Sequence, residues 1–305
     1  MDKIISIDIV IPCFNVEEVI EKCVLSLSSQ SYPKNRYHCY FVNDASTDRT
    51  AKILDSLNSI EQITVIHHEV NLGLSSTRNT GINECKADLI AFLDGDMAVE
   101  NNWLESFLPY FKKDTIAVMG NNIPPKDVIL NPVEKYYFGN LRGARQFKDG
   151  ENISFQYMLY GNAMVIRSGL IKSGLFDEKI NKYGGEDTDL SAKLWNVYPN
   201  CFIYSKKSNA THFHRRTLEE FCSSMKTYGE YNLPILIKRY PQHKIKFGAD
   251  WIYSIKGHLL FNRLLFGFIK MIYFIFPLQV FIRYMVANSV ITGARDSERF
   301  SNRII

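Results

Sequence analysis

The chain has 305 residues, of which 46% are hydrophobic and 22% are charged, and its formal net charge is +4. This composition excludes a disordered chain, and the length allows one large domain or two fused domains with a buried core. The charge is uneven, with −6 over residues 1–200 and +10 over residues 201–305. An acidic first part followed by a basic, aromatic part predicts contact with an anionic surface, either nucleic acid or a membrane.

The first hundred residues alternate apolar, β-branched runs with amphipathic segments. This pattern predicts strands over residues 4–13, 37–44, 63–68 and 88–94, separated by helices over residues 16–30, 50–57 and 75–84. Such an alternation predicts an open parallel sheet with right-handed crossovers. Because ligands of these sheets bind beyond the carboxyl ends of the strands, Asn15, Asp44 and Asp94 mark the candidate site.

The second part of the chain continues the mixed pattern, with strands predicted over residues 115–120, 157–168 and 200–205. Between the first two of these strands, residues 121–157 are interrupted by prolines, glycines and charges. They predict a long, partly mobile loop region near the site. The predicted fold class is α/β, with a mixed, mainly parallel sheet, flanking helices and amphipathic helices at the C-terminal end.

Asp44 directly follows the apolar end of the second predicted strand, in the segment YFVNDASTDRT. Ser46, Thr47 and Asp48 are typical capping residues for the next helix, and a capped turn accounts for Thr47 or Asp48. Asp44 is better placed to accept a hydrogen bond from a base or a ribose.

Two carboxylates, Asp94 and Asp96, end the fourth predicted strand in the segment AFLDGDM. Acidic residues often terminate strands, so the pair alone is a weak signal. Its position changes the interpretation, because hard oxygen ligands at the carboxyl edge of a parallel sheet can hold Mg²⁺ or Mn²⁺ against a diphosphate.

Glu186, Asp187 and Asp189 open a predicted helix directly after two glycines, in the segment YGGEDTDLSAKLW. The glycines allow the backbone to approach a ligand closely. A helix N-terminus favours the anionic form of a carboxylate, which suits a general base that is deprotonated at neutral pH. The alternative is that these acids reflect only the usual charge preference of a helix N-terminus.

His212 and His214 alternate in the segment THFHRR, so they share one face if the chain is extended there. One imidazole could complete a metal site, with a neighbouring arginine neutralising a phosphate. The alternative is a short strand of solvated polar residues.

The six cysteines form no CxxC pair and no other zinc-like spacing, which predicts reduced, buried thiols in a reducing compartment. The segment MDKIISIDIVIPCFN is typical of a strand and has too short a hydrophobic stretch for a signal peptide. These features predict a cytoplasmic location.

The segment 258–291 is very apolar, although three basic residues and Pro277 interrupt it. Its longest run without a charge, residues 271–282, is shorter than the roughly 20 residues that span a bilayer. The favoured interpretation is amphipathic helices in a membrane interface, with basic side chains that reach the headgroups. Burial in a dimer contact or in the protein's own core, and a single membrane span, are the alternatives. The apolar character favours a membrane over nucleic acid as the anionic surface.

Taken in chain order, these motifs resemble those of glycosyltransferase family 2, which has the GT-A fold. The resemblance runs from about residue 6 to about residue 240 and includes IVIPCFNVEEVIEKCVLSLSSQSY, VNDASTDRT, NLGLSSTRNTGI, FLDGDM, GNAMVIRS, YGGEDTDLSAKLW and HFHRRTLEEF. Each motif alone is modest support, whereas the ordered set is specific. The resemblance implies an inverting, metal-assisted glycosyltransferase.

For the donor, the resemblance implies a nucleotide-sugar pocket at the ends of the first strands, with a UDP-sugar as the favoured donor. Asp44 would hold the base or the ribose, and Arg78 would approach the base or the phosphates. Asp94 would contact ribose or metal, and Asp96 would bind metal and diphosphate. The complete implied set is Pro12, Phe14, Glu17, Asp44, Arg78, Asp94 and Asp96.

For the metal, the resemblance implies Mn²⁺ or Mg²⁺ held by Asp96 and His212, with His214 as the second choice. For catalysis, it implies that Asp187 takes the proton from an acceptor hydroxyl. Glu186 and Trp195 would contact the acceptor or the sugar. A single displacement inverts the anomeric carbon, while metal and arginine stabilise the leaving diphosphate.

The predicted organisation is a catalytic domain over residues 1–225, divided at residue 96 into a nucleotide-binding and an acceptor-binding half, followed by a helical membrane-associating region over residues 226–305. The predicted function is sugar transfer to a hydroxyl of a glycan or lipid-linked acceptor, in assembly of a surface polysaccharide or another glycan, at the cytoplasmic face of a membrane. The alternatives are a polyprenyl-phosphate sugar synthase and a non-catalytic nucleotide-binding protein. A homo-oligomer is left open.

Overall fold

The structure is a computed structural model that describes residues 5–57 and 60–301. The strands in these ranges are β1 Ile7–Cys13, β2 Tyr37–Asn43, β3 Ile63–His67, β4 Leu89–Leu93, β5 Met97–Val99, β6 Ala117–Ile123, β7 Asn162–Ile166 and β8 Phe202–His212. They form one sheet in the order β3-β2-β1-β4-β7-β6-β8-β5.

The first four predicted strands are confirmed as the parallel part of the sheet. β1 pairs in parallel with β2 and β4, and β3 extends the sheet beyond β2. All seven residues of β1 are buried. This burial explains its nearly continuous apolar run, because a central strand of a parallel sheet is covered on both faces.

The second half of the sheet mixes strand directions. β7 is antiparallel to both β4 and β6, whereas β8 is parallel to β6 and antiparallel to β5. The predicted mixed, mainly parallel sheet with flanking helices is therefore confirmed. β8 continues to His212 and is longer than the predicted strand, and its end pairs with Met97.

The described helices are α1 Ile20–Ser28, α2 Thr50–Asp55, α3 Leu74–Glu84, α4 Trp103–Phe107, α5 Pro132–Tyr137, α6 Arg167–Ser173, α7 Glu186–Val197, α8 Leu218–Thr227, α9 Leu233–Arg239, α10 Ala249–Tyr253, α11 Ile255–Leu260, α12 Arg263–Ile275 and α13 Gln279–Ser301. A π-helical turn, Tyr228–Asn232, joins α8 to α9. The three helices predicted in the first hundred residues are confirmed as α1, α2 and α3.

Residues 121–157 contain more regular structure than the predicted loop. β6 continues to Ile123, and α5 begins after Asn131. The side chain of Asn131 accepts a hydrogen bond from the backbone N–H of Glu134, and Glu134 returns the bond in a capping box. The prediction of a long loop region is wrong at residues 132–137, because Asn131, Pro132 and Glu134 carry the signals of a helix start.

The contacts within the chain divide it into two compact units. The first unit contains the chain up to Val128, Gly143–Asn181 and Glu186–His214, and the second contains Ile129–Arg142, Lys182–Gly185 and the chain from Arg215 onward. This division differs from the predicted boundary at residue 225. Residues 129–142, 182–185 and 215–225 of the predicted catalytic domain group with the C-terminal helices.

α13 supplies the core of the second unit. Ile282, Met285 and Val286 of this helix are buried in a cluster with Phe221 of α8. Further along the helix, Ile291 joins a second buried cluster. Burial in the protein's own core, one of the three interpretations of the C-terminal segment, is thus confirmed for α13.

α12 differs from α13, because none of its residues is buried. One face packs partly against the first of these clusters through Phe266, Ile269 and Tyr273. The other face is exposed and carries Leu264, Phe268, Met271, Phe274 and Ile275. Within residues 5–57 and 60–301, no helix combines the length and the apolar character needed to cross a membrane.

All six cysteines lie in the described residues, and each is a buried free thiol. Burial raises the pKa of the Cys13, Cys39 and Cys85 thiols. They therefore stay protonated and unreactive at neutral pH, which agrees with the predicted structural role.

Candidate active site

The guanidinium of Arg78 lies between two carboxylates at the carboxyl edge of the sheet. Its Nη1 donates to Asp187 Oδ1 at 2.8 Å, and its Nη2 donates to Asp94 Oδ1 at 3.0 Å. Arg78 is 1% exposed, and its guanidinium lies 5.2 Å from the ring centre of Phe176. One buried cation thus joins α3, the end of β4 and the start of α7.

Both terminal nitrogens of Arg78 donate to carboxylates of the protein. The contact with the base or the phosphates of a donor that the resemblance implies stays a prediction. A buried guanidinium with two such partners orients the acids, because each bond restricts the rotation of a carboxylate.

Burial raises the pKa values of the two acids at the start of α7. The pKa of Glu186 is raised to about 7, first by burial and then by the charge of Asp187, while Arg78 acts in the opposite direction. Burial also raises the pKa of Asp187, and Arg78 again opposes it. The sequence analysis considered only the helix N-terminus, which favours the anion. In the structure, burial has the opposite effect, because it disfavours the anion and raises the pKa of Asp187. The higher pKa makes Asp187 a stronger proton acceptor when it is ionised.

Asp96 and His212 meet across 116 positions of sequence. The Nε2 of His212 lies 3.1 Å from Asp96 Oδ2, and the backbone N–H of Phe213 donates to the carbonyl of Asp96 at 3.0 Å. The pairing of β5 with β8 brings them together. The ring of His214 stacks on that of His212 with 6.1 Å between centres, so the predicted shared face is confirmed.

In the part of the chain that the structure describes, no three His, Cys, Asp or Glu side chains form a ready metal-binding group. Asp96 Oδ2 and His212 Nε2, a hard oxygen and an imidazole nitrogen, nevertheless lie 3.1 Å apart and share a hydrogen bond that a bound cation would replace. This pair fits a cation such as Mn²⁺ or Mg²⁺, which commonly takes one or two protein ligands and completes its shell with water and substrate phosphates.

Asp44 lies directly after β2, as predicted, and its carboxylate oxygens form hydrogen bonds to other groups of the protein. It is 3% exposed; its Oδ1 contacts His68 Nδ1 at 2.8 Å and accepts the Leu72 N–H at 2.8 Å. Its Oδ2 accepts the Gly73 N–H at 2.8 Å. Asp44 thus holds the loop before α3, and Oδ2 keeps a lone pair for one more donor. His68 and this loop are structural partners that the sequence analysis missed.

The chain after β1 carries three predicted donor contacts. Pro12 is buried in β1, whereas Phe14 is 48% exposed. Glu17 Oε2 accepts the backbone N–H and the Nε–H of Arg49 at 2.7 and 3.1 Å. Glu17 therefore ties the segment after β1 to the segment before α2. Among Pro12, Phe14 and Glu17, Phe14 is the residue with a large, exposed apolar side chain.

Trp195 packs on two aromatic side chains of the first unit. Its ring centre lies 6.1 Å from that of Phe155 and 5.8 Å from that of Phe202. Packing alone accounts for this position. The predicted contact of Trp195 with acceptor or sugar gains no support from it.

Tyr160 and Gly161 are site residues that the sequence analysis did not single out. A Cβ on Gly161 would lie 2.4 Å from Asp94 Oδ2, so a larger residue would displace that carboxylate. The carbonyl of Gly161 accepts the Asp94 N–H at 3.0 Å, and the Tyr160 N–H donates to Asp187 Oδ2 at 3.3 Å. The glycine before the strand NAMVI was the available signal.

Gly184 and Gly185 belong to the second unit and have φ values of 77° and 99°. Asn232, on the π-helical turn, donates to the carbonyl of Gly184 at 2.6 Å and to that of Lys182 at 3.0 Å. The left-handed backbone and this packing explain the glycines. The predicted close approach to a ligand is not required to account for them.

The profile described as Glycosyl transferase family 2 matches residues 8–173. A pre-mycofactocin glycosyltransferase of Mycobacterium tuberculosis (strain H37Rv) is 31% identical over 180 residues, covering 58% of this chain and 37% of that protein. Glycosyltransferase GlyA of Streptococcus pneumoniae serotype 4 is 27% identical over 212 residues, covering 66% of this chain and 30% of that protein. The chain thus spans about a third of the length of these curated relatives.

Two solved structures match nearly the whole chain. S. aureus TarS 1–349 in complex with UDP-GlcNAc has a TM-score of 0.57 and 17% identity, covering 98% of this chain and 92% of that chain. Mannosyltransferase PcManGT from Pyrobaculum calidifontis in complex with GDP-Man and Mn²⁺ has a TM-score of 0.63 and 14% identity, covering 95% and 88%. At these identities the likeness establishes the fold alone, and it confirms the predicted GT-A type.

Proposed function

The chain belongs to glycosyl transferase family 2, and from this premise we propose that it moves a sugar from a nucleotide-sugar donor to an acceptor hydroxyl, with inversion at the anomeric carbon. The observation that carries the proposal is the buried cation Arg78, which holds Asp187 and Asp94 together at the sheet edge. UDP-GlcNAc in TarS and GDP-Man in PcManGT support a nucleotide-sugar donor. A UDP-sugar is the donor that the family resemblance favours.

In the proposed reaction, Asp187 accepts the proton of the acceptor hydroxyl while the hydroxyl oxygen attacks the anomeric carbon. The bond from that carbon to the diphosphate oxygen breaks on the opposite face, and its electron pair leaves with the nucleoside diphosphate. Arg78 occupies Oδ1 of Asp187, so Oδ2, with one long hydrogen bond from Tyr160, receives the proton. Asp94 and Phe14 are proposed to contact the donor.

Asp96 and His212 are proposed to hold a divalent cation, Mn²⁺ or Mg²⁺. When bound, such an ion neutralises negative charge on the diphosphate. The Mn²⁺ in the PcManGT complex supports this cofactor. We favour His212 over His214 because the imidazole of His212 contacts Asp96 directly.

The proposed acceptor is a glycan or a lipid-linked glycan, and the proposed location is the cytoplasmic face of a membrane. Catalysis is assigned to the predicted domain of residues 1–225 and membrane attachment to residues 226–305. Exposed Leu259, Leu264 and Phe274 of α11 and α12 support attachment to lipid. Arg263, which is largely exposed, would meet anionic headgroups.

The experiment that tests this function is a panel of UDP-, GDP- and dTDP-sugars with Mn²⁺, scored for slow donor hydrolysis without acceptor. We expect hydrolysis of one nucleotide class, its loss in EDTA, and a loss of at least about a hundredfold in Asp96→Ala. Circular dichroism checks that Asp96→Ala is folded. Full activity in EDTA would remove the metal from the mechanism, and no turnover of any donor would contradict the proposed enzyme.

A further inference from the structure

Two consecutive histidines at the end of β3 contact two consecutive residues at the end of β2, all within the first unit. β2 and β3 pair in parallel, with Asn43 opposite His67, and Asn43 Nδ2 lies 3.0 Å from His67 Nδ1. The backbone pairing continues one residue further, because the His68 N–H donates to the carbonyl of Asn43 at 2.9 Å. There His68 Nδ1 lies 2.8 Å from Asp44 Oδ1. Successive side chains of a strand alternate between two faces, so the two pairs differ in their surroundings.

The pair of His68 and Asp44 is buried, whereas His67 lies at the surface. The side chains of His68 and Asp44 are 9% and 4% exposed, against 37% for that of His67. The second ring nitrogen of His67, Nε2, contacts the exposed Asp55 at 3.0 Å. That of His68 contacts Thr80 Oγ1 at 3.0 Å. The chain therefore contains a matched pair of histidines, one position apart, of which only His68 contacts Asp44.

The hydrogen bond between His68 and Asp44 has a defined direction. A carboxylate can only accept, so the proton of this bond lies on Nδ1 of His68. In the neutral ring Nε2 then carries a lone pair, and the hydroxyl of Thr80 can donate to it. Contacts at both ring nitrogens fix the orientation of the imidazole. His68 is thus a rigid donor to Asp44.

Asp44 accepts three of the roughly four hydrogen bonds that a carboxylate can accept. Its Oδ1 accepts from His68 Nδ1 and from the backbone N–H of Leu72, each at 2.8 Å, whereas Oδ2 accepts only from the Gly73 N–H at 2.8 Å. A buried carboxylate needs such donors, because an unpaired buried charge is costly. Of these three donors, His68 is the one that belongs to a side chain. The position that is left for a fourth donor lies on Oδ2.

We propose that His68 is a positioning residue for donor binding: it holds Oδ1 of Asp44, so that Oδ2 accepts a hydrogen bond from the nucleoside of the donor. The inference rests on the proposed function, in which the donor is a nucleotide sugar. A base N–H or a ribose hydroxyl supplies the fourth donor. A carboxylate that is already oriented loses little freedom when it binds a ligand, which favours affinity. The proposed role of His68 therefore concerns nucleotide affinity and not the chemical step.

The test uses the full chain and measures binding of UDP and of GDP with Mn²⁺ by isothermal titration calorimetry, with donor hydrolysis measured in parallel. His68→Leu removes one donor from Asp44 and should weaken nucleotide binding at least about tenfold, the typical value of one charge-assisted hydrogen bond. The KM for the donor should rise by the same factor. The kcat should change by less than about threefold, because the lost interaction is the same in the ground state and the transition state.

Three further variants separate positioning from a folding defect, and thermal unfolding checks that each is folded. The amide nitrogen of asparagine matches Nδ1 of histidine, so His68→Asn should bind nucleotide within about threefold of the wild type. The amide nitrogen of glutamine matches Nε2 instead, so His68→Gln should weaken binding as leucine does and replaces it if leucine prevents folding. His67→Leu is the matched control and should bind within about twofold of the wild type, because His67 contacts Asn43 and Asp55.

A double-mutant cycle tests whether His68 acts through Asp44. Asp44→Ala should weaken nucleotide binding at least about tenfold, and adding His68→Leu should weaken it by less than about twofold more. Losses that add in the double variant, or equal binding by the wild type and His68→Leu, would overturn the proposal. A lower kcat with an unchanged KM in His68→Leu would overturn it as well. These outcomes leave the proposed function standing, whereas a wild type that binds neither nucleotide would contradict the proposed function and the role of His68 with it.

Discussion

The charge cluster at Arg78 and the exposed face of α12 both reverse the usual distribution of side chains in a globular protein. The first places charges inside, and the second places hydrocarbon outside. The two features differ in whether their partners lie within the chain. Arg78 forms ion pairs with both Asp94 and Asp187, whereas Phe268 and Phe274 remain 55% and 76% exposed.

The difference separates a preformed site from a surface that depends on something outside the chain. A buried guanidinium and its carboxylates repay part of their desolvation through mutual attraction and hydrogen bonds. Exposed apolar side chains have no partner in the fold that offsets their contact with water. Full burial of each would contribute about 1.5–3 kcal/mol to the free energy of folding or binding. We therefore expect substitutions in the charge cluster to alter catalysis or folding, and substitutions on α12 to alter attachment.

The largest expected effect is on catalysis. Asp187→Asn should lower kcat by about 10²–10⁴-fold, because the proposed base no longer accepts a proton. Donor affinity should stay within about twofold, since the lost interaction forms mainly in the transition state. Steady-state kinetics and nucleotide titration measure the two quantities. A near-normal kcat would move the role of base to Glu186 or Asp189.

The next effect is on folding. Arg78→Met should lower the free energy of unfolding at pH 8 by about 3–5 kcal/mol, because it leaves buried carboxylates without their cation. The loss should shrink as the pH falls, since burial raises the pKa of Asp187 and this carboxylate can then bind a proton. Urea unfolding at pH 8 and pH 5 measures this. Arg78→Lys keeps the charge and should lose less. A loss below about 1 kcal/mol at pH 8 would show that the cluster is not held by Arg78.

A smaller effect follows from the raised pKa of Glu186, about 7 in the fold against 4.5 as the ordinary value. Between these values the folded state binds more protons than the unfolded state, so the contribution of Glu186 to stability falls as the pH rises from 4.5 through 7. Glu186→Gln should therefore stabilise the protein by about 2 kcal/mol at pH 8, allowing for partial exposure, and have little effect at pH 4.

Chemical unfolding of this variant across pH 4–8 measures the effect. Glu69→Gln, at an exposed position, is the matched control and should leave the free energy of unfolding at pH 8 close to the wild-type value. Equal stability of Glu186→Gln and the wild type at pH 8 would contradict the raised pKa.

The smallest effect on folding is expected at α12. Phe268→Ser with Phe274→Ser should lower the free energy of unfolding by no more than about 1–2 kcal/mol, because more than half of each side chain is already exposed. Binding to anionic liposomes should nevertheless be lost, and binding of the wild type should weaken with salt. Met285→Ser on α13 is the contrasting control and should destabilise by about 2–5 kcal/mol, since Met285 is fully buried.

Liposome sedimentation and urea unfolding measure these two quantities. Unchanged sedimentation of the double variant would remove α12 from the attachment surface. A change in oligomeric state instead would assign this face to a contact between subunits. Point substitutions are preferable to a truncation before α10, because that truncation would also remove α13 and its buried side chains.

Local sequence patterns predicted the parallel half of the sheet well, because the apolar runs of β1, β2 and β4 have the burial expected of central strands. They predicted less of the second half. The capping box that starts α5 was present in the sequence but was outweighed by the surrounding prolines and glycines. The acids at positions 94, 96 and 187 were identifiable because they stand at the ends of apolar strands or at a helix start.

By itself the sequence determined the α/β class, the order of the elements from β1 to β4 and the acidic residues of the candidate site, because these follow from short-range periodicity and from side chains next to it. Only the tertiary structure determined which of these side chains contact one another. Arg78 meets Asp187 across 109 positions, and Asp96 meets His212 across 116. Such distances are spanned by strand pairing and helix packing, which no local pattern encodes. The same reason explains why α12, the more apolar of the two helices, has an exposed apolar face, whereas α13 supplies a core.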